Sequence, residues 1–220
     1  ILMEMLNEMP IMQLVLDRVE ADDIIAMITQ SPKYKGWQKV IISSDKDFLQ
    51  LLDGETVLYR PIQKKAWTKK TVIDEYGIAP ENFVIARAIA GDKSDNLAGI
   101  KGAGLKTISK RLAFLCEDKM HTLDSVYDHC AKTDSNLKFY ERIVEGWDTV
   151  ELNYKVMNLT PPSISVQGRQ KINYILDNFE FELNGTGLKC CSVEHGFGSY
   201  DWSELMAMLR GIVEKNKQVA

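Results

Sequence analysis

The sequence predicts an α/β fold, with a parallel-sheet core followed by a mostly helical region. Three observations predict it. Short β-branched runs alternate with helical periodicity as far as the basic loop near Lys64, and helical periodicity takes over from Glu81 onward. The composition, 45% hydrophobic and 26% charged over 220 residues, is that of a globular chain with room for one or two domains.

Taken in order, residues 2–9 read as the end of a helix, and Ile11 to Leu16 as a short apolar strand closed by Asp17-Arg18. Glu20, Asp22 and Asp23 precede Ile24, Ile25 and Ile28 at helical spacing. These acids therefore fall at the start of an amphipathic helix, where the macrodipole favours negative charge. Residues 38–43 (QKVIIS) form a buried strand by their β-branched run, followed by Ser44-Asp45-Lys46-Asp47 and a short helix from Phe48 to Leu52. Such alternation implies a mostly parallel sheet, whose ligands bind beyond the carboxyl ends of its strands. Asp45 and Asp47 lie at such an end. Thr56 to Pro61 and Ala66 to Thr68 read as a polar-tipped hairpin or edge joined by the basic loop Gln63-Lys64-Lys65, with Trp67 either stacking on a base or packing on the sheet.

After Gly77 and Pro80 the helices are expected over 82–90, 105–115, 123–131, 137–145, 151–158, 169–179 and 202–215, with Pro161-Pro162 and Asn184-Gly185-Thr186-Gly187 as breaks. A soft boundary near Tyr76 divides residues 1–76 from residues 77–220. Met3, Met5, Met9 and Met12 are read as core contacts rather than a partner-binding stripe.

Composition excludes several classes. Fourteen Gly and six Pro are too few for a low-complexity linker, and no apolar run reaches the roughly 18 residues of a membrane span. Four cysteines without a C-x-x-C pair argue against zinc and for a reducing compartment, and the lack of a signal segment for the cytoplasm. The chain opens on Ile1, which suggests a truncated, processed or incompletely recorded start. The net charge of −4 would argue weakly against a nucleic-acid partner. Its distribution reverses that argument. Arg60, Lys64, Lys65, Lys69 and Lys70 form one acid-free stretch, and Lys101, Lys106, Lys110 and Arg111 another.

Carboxylates gather instead in three segments: Glu20, Asp22 and Asp23; Asp45 and Asp47; Asp92 and Asp95. A capped helix start explains the first segment taken alone, and a turn explains the second. All three together favour a shared role. Carboxylates brought together without cations repel one another, whereas Mg²⁺ or Mn²⁺ requires hard oxygen ligands, and two such ions can clamp a phosphodiester. An EF-hand is discarded, because neither the Gly at the sixth loop position nor the Glu at the twelfth is present.

Gly99-Ile100-Lys101-Gly102-Ala103-Gly104-Leu105-Lys106-Thr107 is a second signal. It is not a P-loop, since Leu105 follows Gly104 where Lys is required and no strand precedes it. It reads as a glycine turn between two helices, aiming backbone N–H groups at a phosphate with Lys106 and Lys110 on one face. Such a turn reads the backbone, not the bases.

V-E-A-D-D-I-I-A, I-S-S-D-K-D-F-L-Q-L and G-D-K-S-D-N-L-A-G-I-K-G-A-G-L-K-T, in this order, resemble the 5′-nuclease superfamily. That superfamily includes flap endonucleases, the 5′-nuclease domain of DNA polymerase I and the ribonuclease H of T-even phages, and the small size leans towards a phage-type enzyme. The resemblance is specific from Leu14 to Leu115 and only general beyond Leu123. It implies a PIN-like parallel-sheet nuclease core over 1–76 and a helical region over 77–220, with a helix-hairpin-helix motif at 91–115. Glu20, Asp22 and Asp45 would face a first metal ion, Asp47, Asp92 and Asp95 a second, with Asp23 in support. Lys101, Gly102, Gly104, Lys106, Thr107 and Lys110 would hold duplex, and carbonyls near Ile100 a monovalent cation.

The implied activity is structure-specific 5′-3′ exonuclease or flap endonuclease hydrolysis with two Mg²⁺ or Mn²⁺ ions. The implied partners are branched, flapped or nicked DNA, RNA–DNA duplex, and replication proteins such as single-strand binding protein or a sliding clamp. The family's first strand with its metal-binding Asp, a second Asp and its helical arch are not matched, so the chain by itself is expected to cut poorly. A non-catalytic DNA-structure binding module and a PIN-type ribonuclease remain as alternatives, between which the glycine turn favours DNA duplex.

Overall fold

The computed structural model describes residues 1–134 and 137–217. They form two units, each with its own core: Glu20–Ser163, and Ile1–Val19 together with the chain from Ile164 onward. The fold is α/β, as expected, with a small sheet and many helices.

The smaller unit contains α1 (Leu2–Asn7), and the larger begins with α2 (Ala21–Thr29), whose N-cap is Glu20. Three strands follow: β1 (Lys39–Ile42), β2 (Thr56–Arg60) and β3 (Lys65–Trp67). β1 and β2 are parallel with Ile41 opposite Leu58, and β3 returns antiparallel with Trp67 opposite Leu58. The sheet is thus mixed rather than mostly parallel, because the basic loop is a tight connection that allows no crossover. β1 is not buried throughout either. Ile41 faces the core, while Val40 and Ile42 are 55% and 70% exposed, the alternation of an edge strand. Trp67 is buried and stacks on Tyr76 at 5.8 Å, so it packs on the sheet.

The second half of the unit runs through α3 (Lys69–Tyr76), α4 (Pro80–Ala90), α5 (Leu105–Arg111), α6 (Leu123–Lys132), α7 (Lys138–Glu145) and α8 (Trp147–Met157). α4 is its axis. Pro80 suits its first turn, and every residue from Asn82 to Ile89 is buried, so it is a core helix rather than an amphipathic one. Its polar members are all engaged. Asn82 donates to the carbonyls of Leu115 (3.2 Å) and Lys119 (2.9 Å) and accepts from His121 N–H (2.8 Å). Asn153 of α8 donates to the carbonyls of Ala88 (2.9 Å) and Ala98 (2.8 Å), fastening the loop after α4 back onto the helix.

Several expected elements differ. Residues 11–16 form no strand: Ile11 and Val15 are exposed, and no neighbouring strand accepts them. The helix expected at Phe48–Leu52 is a 3₁₀ turn, Asp47–Leu51, and the helix expected over 105–115 ends at Arg111 before a second 3₁₀ turn, Ala113–Cys116. α3 was not anticipated, although Thr68 caps it in a box with Thr71 and Gly77 closes it at φ 64°. The boundary expected near Tyr76 lies inside the larger unit, where Tyr76 bridges Trp67 and Phe83.

The smaller unit adds α9 (Val166–Asn178), α10 (Gly185–Glu194) and α11 (Ser203–Lys217) around Met5, Leu188, Met206 and Leu209. Asn184-Gly185-Thr186-Gly187 starts α10 instead of breaking a helix: the Asn184 side chain accepts from Gly187 N–H (3.0 Å). No helix among the described residues is long and apolar enough to cross a membrane.

Candidate metal centre and nucleic-acid interface

The three acid segments sit at element ends. Asp22 and Asp23 occupy the first turn of α2 behind Glu20. Asp45 follows β1, and its carboxylate accepts from Asp47 N–H (2.9 Å), an Asx turn that launches the 3₁₀ turn. Asp92 follows Gly91, accepting from Ser94 N–H (2.8 Å) and Ser94 Oγ (2.5 Å).

What joins the second and third segments is Arg87. Its side chain, only 10% exposed, leaves the last turn of α4, and its Nε and Nη2 donate to Asp47 Oδ1 at 3.2 and 2.8 Å, with Nη2 also bonded to Asp92 Oδ2. Ser43, Asp45, Lys46, Arg87, Asp92 and Ser94 line one cavity of about 400 Å³. A larger cavity, about 810 Å³, lies in the smaller unit among Glu182, Lys189, Arg210 and Glu214, and contains none of these carboxylates.

The electrostatics follow from the geometry. Burial pushes the Asp22 carboxyl up, and the neighbouring charges of Asp45, Glu20, Asp47 and Asp23 push it further. Burial also raises Asp47, and the opposing pull of Arg87 does not cancel it. Burial acts on Asp92 in the same sense, but Ser94 and Arg87 outweigh it and hold that carboxyl low. Asp22 and Asp47 are thus raised chiefly by burial, with neighbouring carboxylates adding to it, while Asp92 is held low by Ser94 and Arg87.

Asp22, Asp45, Asp47 and Asp92 are thus drawn together, with Glu20 and Asp23 close enough to act on Asp22. Asp23 also accepts from Ser163 N–H (2.6 Å). Asp95 is exposed, and no hydrogen bond or ion pair ties it to the others. Sequence reasoning missed Arg87, whose signal was a cation within the apolar run Phe83 to Ala90 of α4.

Among the described residues no three His, Cys, Asp or Glu side chains surround one point closely enough to cage an ion. Mg²⁺ asks for no such cage, since it keeps several waters and binds through one or two carboxylates plus substrate phosphate oxygens. The all-oxygen donor set of these carboxylates fits a hard divalent cation.

Beyond the Asp92–Leu97 bridge the chain turns back against α4. A Cβ on Gly99 would fall 1.9 Å from the Ala90 carbonyl oxygen, so only glycine fits there. Ile100 N–H bonds to the Ile89 carbonyl (2.8 Å) and Ala103 is buried. Gly102 takes φ +83°, and Gly104 caps α5. Lys101, Gly102, Gly104, Lys106 and Lys110 are exposed around this turn, Thr107 half-buried, and the lysines have no carboxylate partner among the described residues. One surface therefore presents unneutralised cations beside exposed backbone, and the other confined carboxylates.

Residues 1–77 match the family described as the 5′-3′ exonuclease, N-terminal resolvase-like domain. Over these residues the chain matches the 5′-nuclease superfamily, as do the relatives it resembles. It is 40% identical over 88 residues to a 5′-3′ exonuclease of Aquifex aeolicus, a match covering 40% of this chain and 30% of that protein. It is 28% identical over 156 residues to the thermostable DNA polymerase I of Thermus thermophilus, covering 70% of this chain and 17% of the polymerase. The chain thus spans well under half the length of these two relatives. Among solved structures, T5 5′-exonuclease with bound zinc shares the fold at a TM-score of 0.61 and 20% identity, over 76% of this chain and 62% of that one. The bacteriophage T5 D15 flap endonuclease, crystallised with DNA and metal ions, shares it at 0.59 and 18%, over 75% and 62%.

Proposed function

We propose that this chain forms the catalytic region of a metal-dependent 5′ nuclease that hydrolyses phosphodiesters at the 5′ ends or flaps of branched DNA or RNA–DNA. The observation that carries the proposal is the meeting of Asp45 and Asp92 on the cavity lined by Arg87, whose guanidinium also pairs with Asp47, at the carboxyl end of β1 and before the glycine turn. Exonuclease and polymerase relatives, and structural neighbours crystallised with metal ions and DNA, support it.

In this reading Asp22 and Asp45, with Glu20, hold one divalent cation, and Asp47, Asp92 and Asp95 a second, with Asp23 in support. Two Mg²⁺ ions, when bound, supply an activated water and charge stabilisation at the scissile phosphate. The chain's own residues set the geometry. Asp45 fixes the start of the 3₁₀ turn that carries Asp47, and Arg87 holds Asp47 and Asp92 at a common point. The glycine turn, with Lys101, Lys106, Thr107 and Lys110, grips the duplex backbone, and its carbonyls near Ile100 take a monovalent cation. Single-strand binding protein or a sliding clamp in the cytoplasm is the partner class that fits replication work.

The test is release of a labelled 5′ flap by the protein with Mg²⁺, run beside Asp45→Asn and alongside a Mn²⁺ titration. Metal-dependent release lost in Asp45→Asn is expected. Flap binding with neither metal-dependent release nor Mn²⁺ binding that Asp45→Asn weakens would identify a DNA-structure binding module instead, and preferential cutting of single-stranded RNA a PIN-type ribonuclease.

A further inference from the structure

The glycine turn comes from one stretch of sequence, but the fold brings it a cation from α7. The end of α7 is seated against the hairpin. Ile143 is fully buried, Tyr140 Oη donates to the Arg111 carbonyl (3.2 Å), and a Cβ on Gly146 would fall 2.4 Å from Ile100 Cδ1. From this seat Arg142 Nη1 donates to the Lys101 carbonyl (3.3 Å) and stands 3.5 Å from the place a Cβ on Gly102 would occupy. Gly102 is in the left-handed region at φ +83°, so the turn stays bare where the guanidinium approaches.

Arg142 is exposed, and among the described residues no carboxylate lies within ion-pair distance of it. A guanidinium carries five N–H donors in a fixed fork, and the Lys101 carbonyl engages one nitrogen of it. The rest of the fork keeps its charge and its donors beside Lys101, where the chain offers no anion. A planar fork of this kind matches a phosphate in two-point contact.

We propose that Arg142 binds a backbone phosphate of the duplex next to the one held at the glycine turn, so that the duplex surface spans α5 and α7. The inference rests on the reading of that turn as a duplex contact. The competing role is purely internal, with Arg142 propping the Lys101 carbonyl and touching no nucleic acid.

The experiment measures binding of a labelled DNA duplex by the whole chain in EDTA, which prevents cutting, across a series of NaCl concentrations. Arg142→Ala, Arg142→Gln, Arg142→Lys and Lys106→Ala are compared with the parent. Losing one phosphate contact lowers the slope of log K against log salt by about 0.9. Arg142→Ala and Arg142→Gln should both show that drop, and Arg142→Lys should keep the slope with several-fold weaker binding. Gln can still donate to the Lys101 carbonyl, so a parental slope in Arg142→Gln would overturn the proposal in favour of the propping role. A reduced slope in Lys106→Ala with none in the Arg142 variants would remove Arg142 alone and leave the turn reading in place. Parental slopes in all four variants would remove both.

Discussion

The carboxylate pocket and the glycine turn lie at opposite ends of one short stretch, residues 87–104, and solve opposite problems. In the pocket, charge is confined: Asp47 and Asp92 share a nearly buried Arg87, and Asp22 ionises against its neighbours. At the turn, charge is left open to solvent, and what is confined is backbone, with Gly91 and Gly99 pressed together and Asn153 clamping the loop. The first arrangement costs folding energy through repulsion and desolvation, the second through steric demand. A site for cations can carry unrelieved negative charge, and a site for a phosphate backbone can leave its lysines without partners. The two regions should therefore respond to substitution in different currencies.

The largest effect is expected at Arg87. Removing one partner of a buried pair leaves the other charge uncompensated, which typically costs about 3–5 kcal/mol. Arg87→Met should lose about that much stability in urea unfolding, and Arg87→Lys, which keeps the charge but not the fork, should lose less. A loss below about 1 kcal/mol in Arg87→Met would show that the pocket does not depend on this pairing, and the contrast between the two regions would fail there.

On the turn side the largest effect is steric. A methyl on Gly99 meets a backbone carbonyl, which cannot swing away as a side-chain tip could. Gly99→Ala should cost about 1–3 kcal/mol as an overpacking change. Gly104, where a Cβ would meet nothing within 4 Å, should accept Ala with a far smaller loss. Equal losses at the two glycines would mean that the backbone approach at Gly99 is not the constraint.

Elements whose signal is local were legible in the sequence. β1, α4 and the α4–turn–α5 hairpin follow from a β-branched run, from helical periodicity after Pro80 and from clustered glycines. Residues 11–16 misled, because an apolar run forms a strand only with a neighbour to bond, and sequence does not supply the neighbour. Asn184-Gly185 misled in the other sense, since the residues that end one helix also cap the next. In the candidate site, the three acid segments were visible as a pattern. Arg87 and Arg142 were not, because each acts across a tertiary contact: one on a carboxylate 40 residues away, the other on a carbonyl 41 residues away.

A smaller effect of opposite sign is expected at Asp22. Its carboxyl is raised in the folded state, so the folded form holds that proton more tightly than the unfolded chain does. Its contribution therefore favours folding at low pH and is lost as pH climbs from the unfolded carboxylate range through the folded value. Without divalent cations at neutral pH, Asp22→Asn should melt slightly higher than the parent. The gain should stay below about 1 kcal/mol after solvent screening, or about 2–4 °C at most. At pH 3 the difference should vanish, and added Mg²⁺ should favour the parent. A lower melting temperature for Asp22→Asn at neutral pH would show that the carboxylate is stabilised where it sits.

The smallest effect on stability, and the one that sharpens the comparison most, is expected at Lys106. It is exposed on the first turn of α5 and makes no ion pair among the described residues, so removing it leaves no buried charge and no cavity. Lys106→Ala should unfold within about 0.5 kcal/mol of the parent, as surface changes of this kind do. Binding is where it should differ. Loss of one phosphate contact should weaken duplexes of any sequence alike and lower the salt slope by about one, so that parent and variant converge as NaCl rises. Arg87→Met should behave in the reverse manner when assayed below its own unfolding transition, with stability lost and the salt slope retained. If Lys106→Ala instead unfolded early with an unchanged slope, its lysine would be a structural part of the hairpin, and the turn would carry confined charge just as the pocket does.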